Sequence, residues 1–273
     1  MFELRRFARL ARAHWAESWR RYAWFLAAGM LLHGVISIIF FAGGNGYTAF
    51  DTKGQTGFYF TGLFVLASIF AGRYFLTMST RASALLALMR PASVFEKWLL
   101  AALTVAVLYP LAYTLAFYLV DAPDQWLAYG QAKHQALQQA LDLARHPDGI
   151  RRVAVDLDEY RLVFPWTGMK GWRDAAGLLL ILYSLQGMAV FGSLYFRTVP
   201  FIKTGLSCVF LFLACVLLST AFRSRPDVVL GYWDHQRSLS TLQEIFYPAL
   251  WLAFPGLFWL ASFLALKERE ISA

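Results

Sequence analysis

The sequence is short of charge, of cysteine and of nucleotide-binding motifs, and each shortage excludes something. Only 15% of the 273 residues are Asp, Glu, Lys or Arg while 59% are hydrophobic, and the mean hydropathy is +0.49. A soluble domain carries about a quarter charged residues, so this balance excludes the soluble globular class and indicates an integral membrane protein. The two cysteines, Cys208 and Cys215, stand in one apolar run. At that spacing they share a helix face and cannot bridge to each other without breaking the helix, so they read as packing residues. No G-x-x-x-x-G-K-[ST] and no G-x-G-x-x-G occurs, which removes both phosphate cradles from this chain. No small-residue cleavage site follows the first apolar run, so that run is expected to remain as a span and not to leave as a signal peptide.

What is present is a series of apolar runs of about the 20 residues a bilayer core requires. Six are expected to span: Ala23–Ala42, Gly57–Met78, Trp98–Val120, Ala175–Phe196, Thr204–Phe222 and Tyr247–Leu266. The fold class that follows is an all-α integral membrane protein with six transmembrane helices, an N-terminal interfacial amphipathic helix and a helical extracytoplasmic segment. With the N-terminus inside, the inner segments hold 14 Lys and Arg against 5 Asp and Glu, and the outer segments 11 against 12. That asymmetry places both termini in the cytoplasm. The net charge of +8 then reports topology and contact with anionic lipid, and no nucleic-acid partner is expected.

Residues 1–22 form a basic amphipathic segment with Leu4, Phe7, Leu10, Ala11, Trp15, Trp19 and Tyr22 at helical spacing and six Arg among them. Such a helix lies in the membrane surface. In the first span His33 stands alone. With no acidic residue inside any of the six runs, it is expected to be a hydrogen-bonded packing residue and not a proton relay. Arg73, near the inner end of the second run, is expected to snorkel.

The loop 79–97 holds the most structured sequence. Arg81 to Met89 reads as a short Ala- and Leu-rich helix ended by Arg90-Pro91, because the residue before proline is pushed out of the helical region. Ser93 followed by Glu96 is a capping-box pattern that starts the third span. Helix, corner and capped helix make a knob with an apolar plug, Leu85 and Leu88, and a charged rim of Arg81, Arg90 and Lys97. An ordinary interspan loop would carry the same turn and basic residues, so the pattern alone leaves a docking role and a plain loop both open.

Residues 121–174 form the largest soluble piece. A helix is expected from about Asp124 to Arg145, stopped by His146-Pro147-Asp148-Gly149. The segment is too small to bury a core of its own and must pack on the spans or on a second copy. His146, Asp148, Asp156, Asp158 and Glu159 show no metal-ligand spacing and no nucleophile with a base, so no catalytic residue and no metal site is expected. Arg197 to Lys203 is a tight basic inner corner at Pro200. Residues 223–246 carry an Arg225-Pro226 break and an amphipathic stretch, Leu239 to Phe246, and 267–273 is a solvated tail.

This layout resembles the membrane subunit of an ATP-binding-cassette exporter of the type-two permease family. The stretches Arg90-Pro91-Ala92-Ser93-Val94-Phe95-Glu96-Lys97, Phe191-Gly192-Ser193-Leu194-Tyr195-Phe196 and Phe201-Ile202-Lys203-Thr204 are similar to segments of bacterial permease-like members. The resemblance implies a permease in the bacterial inner membrane with no cofactor of its own, ATP and Mg being bound by a separate cytoplasmic ATPase subunit. It implies a second permease copy, identical or not, and a lipid-linked, peptide or amphipathic cargo. The coupling surface it implies comprises Arg81, Leu85, Leu88, Met89, Arg90, Glu96, Lys97, Arg197 and Lys203. The chain departs from the family layout in the length of 121–174. A secondary transporter and a non-transporting scaffold or sensor subunit are the alternatives. The first requires ionisable groups within the spans, which the hydropathy pattern does not show.

Overall fold

A computed structural model describes residues 2–44, 46–78, 91–145, 155–166, 171–196, 202–207, 210, 213 and 241–271. Among these the secondary structure is helical throughout: α1 (Leu4–Ala42), α2 (Gly46–Ala49), α3 (Thr52–Tyr74) running into a 3₁₀ turn at Phe75–Met78, α4 (Val94–Leu103), a π-helical turn (Thr104–Leu108), α5 (Tyr109–Arg145), a 3₁₀ turn at Leu157–Tyr160, α6 (Trp172–Tyr195) and α7 (Thr241–Ile271). The protein is thus an all-α membrane protein. Four helical runs are long and apolar enough to cross a bilayer, Leu4–Ala42, Thr52–Tyr74, Val94–Arg145 and Asp174–Tyr195, and the apolar window of each is between 11% and 39% buried. Apolar helix surface left this bare needs lipid or another protein around it.

Four such runs, not six, are found among the described residues. The expected fifth span lies largely outside them, and the expected sixth coincides with part of α7. Two boundaries also differ from the expectation. The N-terminal amphipathic helix does not end near Tyr22 but continues into the first apolar run as one 39-residue helix, about 58 Å at 1.5 Å per residue. Nothing in the sequence between Leu4 and Gly29 breaks a helix, and Arg, Ala and Leu are strong helix formers. Likewise α5 does not stop at Val120; the helix passes through Pro123 to Arg145.

The chain divides into two compact units. The first comprises residues 1–19, 64–110 and 170–273. In it α6 packs directly on α7, where Gly187 allows close approach: a Cβ there would lie 3.1 Å from the Trp259 ring and 3.2 Å from Phe258. Small residues at such contacts are how membrane helices approach. Trp259 Nε1 donates to the Tyr183 carbonyl at 3.1 Å, and Trp98 Nε1 on α4 donates to the Trp259 carbonyl and to Ser262 Oγ at 3.1 and 3.0 Å. Near the C-terminal end Arg269 donates to the Leu194 carbonyl, and α7 runs through the expected solvated tail to Ile271 with Lys267 and Glu268 exposed. Gln186, buried, donates to the carbonyl of Val105 at 3.0 Å, a group inside the π-helical turn, where i→i+4 pairing is interrupted.

The second unit comprises residues 20–63 and 111–169. α1 ends at Gly43-Gly44, where the Gly44 N–H bonds to the Phe41 carbonyl at 3.1 Å and Gly44 takes φ +73°, a left-handed stop that glycine adopts without strain. Asp51 then caps α3 by accepting the Gly54 N–H at 2.7 Å. The core is aromatic. Phe41, Phe50 and Phe58 form successive stacked pairs at 5.2 Å, and Tyr59, Tyr113 and Phe117 are buried against one another. Tyr59 Oη lies 2.8 Å from Thr114 Oγ1 and accepts from Trp166 Nε1 at 3.0 Å. The segment 155–166 is laid on α3 and α5 by the Tyr118 hydroxyl donating to the Val163 carbonyl at 3.1 Å and by the Val163 N–H donating to Gln55 Oε1 at 3.1 Å.

Candidate functional site

Two arrangements of polar side chains stand out, one in each unit. The first is the foot of α4. Ser93 adopts an extended conformation and accepts the Glu96 N–H at 3.3 Å, while Glu96 Oε2 accepts the Ser93 N–H at 3.0 Å. The expected capping box is therefore present. Glu96 does more than cap: its two oxygens also accept from Arg6 Nε and Nη2, each at 2.8 Å, and Oε1 accepts the Glu3 N–H at 2.9 Å. The residue is fully buried. The Arg6 guanidinium, helped by the Glu3 and Ser93 amides, holds the carboxyl down to about 2 against the upward push of burial. This group precedes the apolar run that begins at Trp98, and a bidentate Arg–carboxylate pair of this kind is among the strongest side-chain contacts.

Arg81, Leu85, Leu88, Met89, Arg90 and Arg197 lie outside the described residues. Glu96 is paired with Arg6 of α1, and Lys97 is 7% exposed. Lys203 is exposed and places Nζ 5.9 Å from the Phe196 ring centroid. The apolar stripe of the N-terminal helix is only partly covered by protein. Leu10 and Ser18 are buried and His14 reaches Tyr74 Oη at 3.3 Å, whereas Leu4, Trp15 and Trp19 are 71%, 51% and 45% exposed.

The second arrangement overturns the reading of His33 as isolated. In the second unit His33 Nε2 lies 3.4 Å from Asp124 Oδ2, and ligand atoms of His33, Asp121 and Asp124 all fall within 4.8 Å of one another. Ser37, one turn beyond His33, donates to Asp124 Oδ2 at 2.6 Å, and Gln55 of α3 donates to Asp121 Oδ2. The imidazole is walled by Phe50, Phe58 and Phe117, with centroids 6.3, 5.9 and 5.1 Å away. Asp121 is fully buried, and Asp124 and Gln125 are nearly so.

Sequence reasoning missed Asp121 and Asp124 because they follow the third apolar run and were counted outside it. The missed signal is phase. Tyr113, Phe117, Asp121, Asp124, Ala128 and Ala132 are all buried and recur every three or four residues along one unbroken helix. Asp156, Asp158 and Glu159 are not drawn into any site: Asp156 Oδ1 accepts the Asp158 N–H at 2.9 Å and Asp158 pairs with Arg161, so local turn structure uses them. His146 and Asp148 lie outside the described residues. Comparison of the chain with protein-family models, with curated proteins and with solved structures finds no match.

Proposed function

We propose that the chain is the permease subunit of an ATP-driven exporter in the bacterial inner membrane, with six spans, both termini in the cytoplasm and a separate ATPase subunit bound at the inner loops. A second permease copy completes the substrate path, and the cargo is lipid-linked, peptide or amphipathic. The observation that carries this reading is the foot of α4. The helix that follows the expected coupling segment is capped by Ser93 and clamped to α1 through Glu96 and Arg6. In this reading a push on residues 79–92 reaches α4 and the N-terminal part of α1 together, since packed helices shift between discrete arrangements more readily than they deform. The expected plug residues Leu85 and Leu88 would take that push from the ATPase.

The test is to purify the protein in mild detergent from its native host, identify co-purifying chains by mass spectrometry and assay ATP hydrolysis. A stoichiometric ATPase subunit that is lost on Leu88→Asp, with insertion intact, is the expected result. Its absence under conditions that preserve the complex overturns the reading. In that case the buried acid–histidine group favours a secondary transporter, since such a group within the bilayer is a hallmark of ion-coupled transport. A scaffold or sensor subunit would instead retain the ATPase without supporting transport.

A further inference from the structure

We propose that His33, Asp121 and Asp124 bind one divalent transition-metal ion, with Gln125 as the fourth side chain. Two carboxylates one helical turn apart are buried beside His33, whose ring three phenylalanines surround, and among the described residues no Lys or Arg forms an ion pair with either. Buried anions without a counter-charge are strongly disfavoured, and a protonated His33 would offset only one of them. A dication offsets both while leaving the imidazole neutral, the form in which it ligates.

Geometry and hydrogen bonding point the same way. The 3.4 Å between His33 Nε2 and Asp124 Oδ2 matches the separation of about 3.4 Å between two ligands each about 2.1 Å from a tetrahedral ion. His33 Nε2 and Asp121 Oδ1 are both buried and lack a hydrogen-bond partner, as do both polar atoms of the Gln125 side chain. Polar atoms so placed normally find a partner, and these four belong to residues within one turn of one another or of the cluster. The opposite lone pairs are already engaged: Ser37 donates to Asp124 and Gln55 to Asp121, the outer hydrogen bonds that orient carboxylate ligands. One imidazole nitrogen with carboxylate oxygens suits zinc or manganese better than magnesium or calcium, which prefer oxygen alone.

The test uses the full-length protein in detergent with Cys208→Ser and Cys215→Ser in place, so that no thiol contributes. The protein is stripped with chelator, incubated with zinc chloride, desalted and analysed for bound metal, and zinc affinity is measured by competition. About one zinc per chain is expected, with affinity falling at least tenfold in Asp124→Asn and in Asp121→Asn, and about tenfold in Gln55→Ala, which removes the outer hydrogen bond to Asp121 together with the one from the Val163 N–H. Substoichiometric zinc in the parent protein, or zinc unchanged by the carboxylate variants, overturns the site as an adventitious ion only. Should the variants fail to fold, the parent protein decides alone: saturating zinc should raise its unfolding temperature relative to chelator, and no shift overturns the proposal. None of these readouts involves an ATPase, so the site and the permease reading stand or fall separately.

Discussion

Glu96 at the start of α4 is gripped by Arg6 of α1 through two bonds of 2.8 Å that close a gap of 90 residues in sequence. A carboxylate that caps its own helix therefore also fastens that helix to the N-terminal one. If the link is as described, it should report itself in the acid stability of the protein. The Glu96 carboxyl titrates near 2 when folded, below its usual 4.5. Its contribution is complete above about pH 4.5 and is lost as pH falls toward 2, because only the unfolded chain then gains the proton early. Unfolding temperature in detergent should fall across that window, and the fall should be smaller in Glu96→Gln. Identical profiles for the two proteins would remove the link.

The cap can be separated from the clamp. Ser93→Ala removes the hydroxyl that accepts the Glu96 N–H but leaves Arg6 in place, and loss of an N-cap of this type costs about 1 kcal/mol. Chemical unfolding should show that loss at neutral pH with the acid transition unmoved. An unchanged midpoint would mean that the carboxylate alone holds the corner.

At the contact between α6 and α7, Gly187 faces Trp259 and Phe258 at about the closest distance a methyl group tolerates. Gly187→Leu should therefore overpack the contact and destabilise by roughly 1–3 kcal/mol. Gly57, where an added Cβ would meet nothing within 4 Å, gives the control: Gly57→Ala should stay within about 0.5 kcal/mol. Equal effects at the two positions would contradict the packing described here.

Tyr59 Oη serves both Thr114 and Trp166. Tyr59→Phe leaves the half-buried Trp166 N–H without its acceptor, and since a fully buried donor left unpaired costs about 1–3 kcal/mol, the loss should fall at the low end of that range. The damage should concentrate in residues 155–166, whose amides should exchange faster with deuterium than in the parent. Faster exchange spread evenly over the chain, with none concentrated there, would count against the anchoring role.

Composition and period were enough to establish that the protein is helical and membrane-embedded, because burial of apolar surface in lipid sets run length and every span must satisfy its own backbone. The Ser93–Glu96 cap was legible for the same reason: both partners lie within four residues. The fourth apolar run likewise matched α6 to within a few residues. Only the tertiary structure decided what local rules cannot see. The hydropathy of Asp121 and Asp124 marked the end of a span, yet the helix through Pro123 keeps its phase and carries both carboxylates to His33, 91 positions from Asp124 by their numbering. Which residues of the N-terminal helix meet protein was likewise not legible, since Trp15 and Trp19 share the apolar period of Leu10 yet stay exposed while Leu10 is buried. A lipid-facing stripe and a protein-facing stripe are equally apolar, and only packing against specific neighbours distinguishes them.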